Sequence, residues 1–138
     1  MSEPILVDGN QYWNSHANFP VVIGKVYAEN DDREAEPDDY TNICHTHDHP
    51  ELVIVYGGTA KHNMEGHDYM ISSGDIFCIL EGQQHYYHDM DQLQLLNIMY
   101  DPIGLGLPLD YLKKVPGYNA MFVLEPNYRK EHLFSSRA

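Results

Sequence analysis

The chain breaks into apolar runs of strand length. FPVVIGKVYA, ELVIVYGG, DYMI, DIFCIL and LQLLNIMY follow one another between Phe19 and Tyr100, with Gly-, Asp- or Asn-containing breaks between them. Short runs at that spacing, bounded by turn residues, specify antiparallel strands arranged as a sandwich or barrel. TAKHNMEGHDYMI reads as a hairpin turning at Glu65-Gly66, and ISSGDIFCI turns again at Gly74-Asp75, because glycine supplies the positive φ that tight hairpins need. Gly57-Gly58 reads as a turn that closes the strand before it.

After Tyr100 the texture changes. A short helix is expected at Leu109 to Val115, stopped by Pro116-Gly117, and AMFVLEP is either a further strand or an apolar cover over the sheet. The expected organisation is one domain over residues 1–138: an amino-terminal arm at 1–18, a barrel at 19–100 and a carboxyl-terminal helix or strand segment at 101–138. The end, LFSSRA after the basic stretch Tyr128-Arg129-Lys130, reads as the cut edge of a longer protein or as a natural tail.

Charge narrows the partners. A formal net charge of −13 opposes a phosphate backbone, so nucleic acid is not expected to bind this domain alone. Seven carboxylates and one Arg crowd into Glu29 to Asp39, which reads as a solvated loop. Neither a signal peptide nor an apolar run of membrane-spanning length is present, and Cys44 and Cys78 are too few for a disulfide framework. A cytoplasmic chain outside the membrane is expected, with both thiols as small buried apolar side chains.

The chemistry gathers in CHTHDHPELVIVYGG. His45 and His47 are two apart, so on a strand both point to one face, while Cys44 and Thr46 point to the other. Pro50 permits a kink, after which Glu51 can lead the next strand with its carboxylate on the same side. Closing a barrel could bring His85, from EGQQHYYHD, opposite the first pair. Three neutral imidazoles and one carboxylate suit Fe(II), Mn(II), Ni(II), Cu(II) or Zn(II) and leave coordination positions open.

A family resemblance enters here. The spacing of His45, His47, Glu51 and Gly58 matches the first cupin motif, and the second is matched in part by Gly74, Gly82 and His85, with Leu80 standing where that motif has proline and Asp89 where it has asparagine. The resemblance implies a cupin barrel, a jelly-roll-like double-stranded β-helix in the all-β class, with His45, His47, Glu51 and His85 as the metal ligands. HTHDHPELVIVYGGTAKHNMEGHDYMISSGDIFCILEGQQHYYHD also resembles the sensor domain of AraC/XylS-type transcription regulators. LQLLNIMYDP and LPLDYLKKVPGYNAMFVLEPNYR are similar to the later part of that domain in sugar-responsive members, particularly rhamnose regulators. This implies a small-molecule effector, a sugar in the nearest members, DNA binding through a separate carboxyl-terminal region, and a homodimer formed through a sheet face or the carboxyl-terminal helix.

Other residues carry weaker expectations. Tyr87 shares the parity of His85 and is a candidate wall of the ligand pocket, against a packed core Tyr. His88 should face away from His85. His49, held extended by the following proline, should be exposed or stand behind the ligands. His62 and His67 flank the hairpin turn and should be solvated. Asn97 interrupts an apolar run, where a buried amide needs partners, either a ligand hydroxyl or a backbone group. In the arm, Gly9 offers a hinge and Tyr12-Trp13 a stacking surface. Two functions fit these residues. One is a sensor that is not an enzyme; the other is a stand-alone cupin metalloenzyme, such as a dioxygenase, isomerase or decarboxylase, using the same four ligands.

Overall fold

The structure is a computed structural model that describes residues 4–15, 19–32 and 41–124. The acidic stretch at 33–39, the basic stretch at 128–130 and the chain end lie outside the described residues. Strand β1 (Ile5–Val7) and helix α1 (Asn10–Ser15) form the arm, followed by β2 (Val21–Ala28), β3 (His45–His47), β4 (Glu51–Met64), β5 (His67–Ser72), β6 (Ile76–Ile79) and β7 (His85–Tyr100). The expected all-β, jelly-roll-like cupin barrel with a short helical tail is the fold observed.

Two long strands organise it. β4 and β7 pair antiparallel from Glu51↔Met99 to Met64↔His85. β4 takes β6 and then β5 along its other edge, while β7 takes β2 and then β3, the last at His45↔His85. β1 adds to β3 in parallel, Ile5 opposite His45 and Val7 opposite His47. A straight strand rising roughly 3.3 Å per residue would hold Met99, the partner of Glu51, about 46 Å from His85. Yet the Glu51 carboxylate lies 4.0 Å from His85 Nε2, so the β4–β7 ribbon is folded back on itself.

Three register shifts between Val55 and Lys61 mark the fold, together with positive φ at Gly58, Asp89 and Gln92. Bulges that add a residue to one strand bend it and change which face its side chains point to. Val53 and Val55 point inward before the bend, and Ala60, His62 and Met64 point inward after it. The main core joins Val53, Val55, Ala60 and Met64 to Tyr69, Ile71, Phe77, Ile79, Tyr87, Met90, Leu93 and Leu95. A smaller cluster packs Trp13 of the arm, flanked by Tyr12, against Val22 and Met99.

Most turns are where the sequence puts them. Glu65-Gly66 joins β4 to β5, and Gly74 turns into β6 with φ 98°. Gly57-Gly58 is a correction: β4 runs through both glycines, because a bulge rather than a reversal uses the positive φ of Gly58. The carboxyl-terminal helix is also shorter than expected. α2 covers Leu109–Leu112, and Pro116 opens a second short helix, α3 (Pro116–Asn119), since proline at the first helical position loses no hydrogen bond. Of AMFVLEP, Ala120–Leu124 is a π-helical turn rather than a strand. No helix among the described residues is long and apolar enough to cross a membrane.

Candidate metal centre

β3 is three residues long and alternates buried, half-buried, buried, so His45 and His47 enter the barrel and Thr46 does not. β7 brings His85 directly beside His45, with ring centroids 4.3 Å apart, and His47 lies 5.1 Å from His85. The ligand-capable atoms of these three imidazoles all lie within 4.8 Å of one another. Nitrogens bound tetrahedrally to one metal at about 2.1 Å stand about 3.4 Å apart, so the rings need to draw together by up to about 1.4 Å to share an ion. Glu51 completes the group, its Oε2 3.4 Å from His47 Nε2 and 4.0 Å from His85 Nε2. The structure thus brings together all four residues expected to be ligands.

The donor atoms of this group fit a cation. The Nδ1–H of His45 donates to the Ile43 carbonyl at 2.6 Å, which leaves its Nε2 as a lone pair. His47 Nδ1, Glu51 Oε2 and His85 Nε2 are buried with no hydrogen-bond partner among the described residues. A buried polar atom left unpaired costs about 1–3 kcal/mol, so gathering several in one place is expensive unless a ligand satisfies them. Zn(II), Ni(II), Fe(II), Mn(II) and Cu(II) each accept such nitrogen and carboxylate donors.

Burial sets the protonation of the metal-free group. Desolvation, reinforced by His45 and His49, pushes His47 down to about 3, and desolvation with the other imidazoles holds His85 well below its ordinary value. Desolvation raises Glu51 to about 8. Burial therefore outweighs the mutual attraction of imidazole and carboxylate, and near neutral pH without metal His47 and His85 are neutral and Glu51 is mostly protonated.

The surroundings correct one expectation and decide between the alternatives of another. His62 is not solvated but buried, with its ring stacked 4.6 Å from Tyr87 and 4.8 Å from Phe77. Its Nε2 lies 3.1 Å from His85 Nδ1. Its signal was the inward face of Ala60, His62 and Met64, hidden because the bulges shift parity upstream of it. His49 stands behind the ligands and is buried rather than exposed. Its ring lies 5.0 Å from His47 and meets Trp13 and Tyr12 edge-on, and its Nδ1 donates to Asp48 at 2.9 Å. Asp48 also accepts the Gly9 N–H at 2.7 Å. Gly9 is thus tied down at the arm's entry, and Trp13 is packed rather than open for stacking.

The remaining residues fall as follows. Tyr87 is buried edge-on to His85 at 5.8 Å, with its face against His62. His88 faces away and pairs with Asp68, and His67 is half-exposed. Cys78 is buried, whereas Cys44 is half-buried. Asn97 faces inward between Val53 and Gly24, and its Oδ1 is buried with no hydrogen-bond partner among the described residues.

Residues 33–105 match the family described as the AraC-like ligand binding domain. The chain belongs to that family. Among the relatives of this AraC-like ligand binding domain is the HTH-type transcriptional activator RhaR of Escherichia coli (strain K12), 43% identical over 76 residues, which cover 55% of this chain and 27% of that protein. The protein of the same name from Shigella flexneri serotype 5b (strain 8401) is 42% identical over the same coverage. The aligned segment thus spans about a quarter of the length of these relatives. Among solved structures, the conserved SPY1581 protein of unknown function from Streptococcus pyogenes aligns at a TM-score of 0.50 and 14% identity, over 61% of this chain and 67% of that one, a likeness of fold.

Proposed function

We propose that this AraC-like ligand binding domain is the effector sensor of a cytoplasmic, sugar-responsive transcription regulator, and that His45, His47, Glu51 and His85 hold a divalent transition metal beside the effector. The observation that carries this reading is the convergence of buried donors at one point of the barrel: the imidazoles of His45, His47 and His85 bring ligand atoms within 4.8 Å of one another, and Glu51 Oε2 lies 3.4 Å from His47 Nε2. When bound, the metal supplies a Lewis-acid site for a hydroxyl oxygen. Asn97 offers its amide oxygen to a second hydroxyl, and Tyr87 closes the wall behind His85. The AraC-like family and the match to transcriptional activators support sensing over catalysis, and rhamnose is the sugar that the sequence resemblance favours.

Sensing requires that the effector bind one conformation better than another. The arm is placed for this, because β1 pairs with the strand that carries two of the ligands. DNA recognition would lie in another part of a longer protein, since the charge of this chain repels a phosphate backbone. A homodimer of such regulators is part of the same proposal.

Elemental analysis of the chain purified without added metal, beside His45→Ala and His85→Ala, tests the metal. Near-stoichiometric metal lost in both variants is the expected result. Calorimetric titration with L-rhamnose and other monosaccharides, with and without Zn(II), tests the effector. Metal-free, folded wild-type protein that also takes up no added Zn(II) would overturn the metal reading. Metal with turnover of a substrate would replace the sensor with the metalloenzyme that shares these ligands.

A further inference from the structure

We propose that His62, which lies outside the four-residue ligand set, is a positioning residue that holds His85 in the one tautomer able to bind a metal. The inference rests on the metal reading above and adds a role for a fifth buried imidazole.

The geometry is specific. His62 and Tyr87 face each other across β4 and β7, and their rings stack 16° from parallel. Phe77, from β6, covers the other side of the His62 ring at 29°. Held between two aromatic faces, the imidazole cannot swing, and its Nε2 is aimed at His85 Nδ1 across 3.1 Å, with the two rings at 89°. A ring that serves only as core filler has no need of that edge-on aim.

One proton lies between these nitrogens, and its position decides what His85 can do. If His62 Nε2 donated it, His85 would carry its own proton on Nε2, inside the ligand cluster. That N–H would be buried without an acceptor, because the nearest carboxylate oxygen, Glu51 Oε2, is 4.0 Å away, beyond hydrogen-bond reach. Neither arrangement escapes a buried N–H, because His62 carries its own proton on Nδ1 whenever its Nε2 accepts, so the choice falls to the metal, which needs His85 Nε2 bare. The other arrangement puts the proton on His85 Nδ1, donated to the lone pair of His62 Nε2. His85 Nε2 then faces the cluster as a bare lone pair, the form a metal requires. His45 reaches the same state through a carbonyl, Ile43, and His62 does for His85 what that carbonyl does for His45.

Two variants separate this role from packing. His62→Phe keeps an aromatic ring in the stack and removes the acceptor, whereas His62→Gln restores a carbonyl acceptor at similar reach. Zn(II) affinity, read by competition with a chromophoric chelator, should fall roughly 10- to 100-fold in the Phe variant and recover to within a few-fold of wild type in the Gln variant. In parallel, nitrogen-15 spectra of the Zn(II)-loaded proteins should show a hydrogen-bonded His85 Nδ1 proton in wild type and His62→Gln, and one without that bond in His62→Phe.

Wild-type affinity in a folded Phe variant would overturn the proposal, as would a His85 Nδ1 proton with no hydrogen bond in the Zn(II)-loaded wild type. If the wild type binds no Zn(II), the metal reading fails and this proposal with it, whereas wild-type binding that the Phe variant keeps in full overturns this proposal alone. If His62→Phe does not fold, the Zn(II)-loaded wild-type and Gln spectra decide: a hydrogen-bonded Nδ1 proton in both supports the proposal, and its absence in either overturns it.

Discussion

Gly58 and Gln92 meet backbone to backbone where the β4–β7 ribbon folds. A Cβ built on Gly58 would collide with the Gln92 carbonyl oxygen, and the residue sits at φ 72°. Gly66, in the β4–β5 turn, has a similar φ of 84° but open space around it. Gly66→Ala should therefore cost about 1 kcal/mol, the ordinary strain of a left-handed residue. Gly58→Ala adds a backbone collision and should cost at least about 3 kcal/mol. Denaturant melts of the two variants check the contrast, and equal losses would mean that the ribbon can open at Gly58.

The pH dependence of the metal-free chain should have two limbs. His47 and His85 have folded values below their unfolded ones, so as pH falls below about 6.5 the unfolded chain takes up protons that the folded chain refuses. Stability drops on that side by up to about 1.4 kcal/mol per pH unit for each group. Glu51 is raised to about 8, so between about 4.5 and 8 the unfolded chain ionises a carboxyl that the folded one keeps protonated, and stability falls as pH rises. The optimum should lie near pH 6.5. Added Zn(II), which binds the ionised carboxylate, should remove the alkaline limb, and thermal melts across pH with and without the ion provide the check.

Asn97→Leu should separate effector binding from stability. Removing a buried amide oxygen that has no hydrogen-bond partner among the described residues should leave stability unchanged or raise it by up to about 1 kcal/mol. Loss of a hydroxyl contact should weaken the effector by about 10- to 100-fold. Calorimetry with whichever sugar binds the wild type gives the answer, and undiminished affinity would take Asn97 out of the pocket.

Trp13→Ala should loosen the arm without melting the barrel. Trp13 packs with Val22 and Met99 and meets His49 edge-on, away from the main core. Hydrogen exchange should quicken at the Ile5 and Asp48 amides, which bond across β1 and β3, and remain slow along β4 and β7. Uniform acceleration would make the arm part of a single cooperative unit.

What could be read in the sequence was what depends on local spacing. The parity of His45 and His47, the reversals at Glu65-Gly66 and Gly74-Asp75, and the lead position of Glu51 survive in the structure because each is settled within a few residues. What could not be read depends on counting through a bulge. Continued straight from Val53 and Val55, parity sends His62 outward, and only the shifts around Gly57 and Thr59 turn it inward. The same bulges hid the continuity of β4, and Pro116 looked like a stop because a proline that ends one helix also starts another well. The arm's docking on His49 joins segments far apart in the chain, which no local pattern records.

The three-residue strand β3 has a consequence for how the protein is made. His45 and His47 flank Thr46, and a slip of one residue against β7 would carry both imidazoles out of the barrel and bring the threonine in. No half-formed version of the cluster exists along that coordinate. A refolding population that had collapsed around the wrong pairing would be silent toward the ion. Metal uptake would therefore count correctly threaded molecules, where fluorescence or compactness would count all of them.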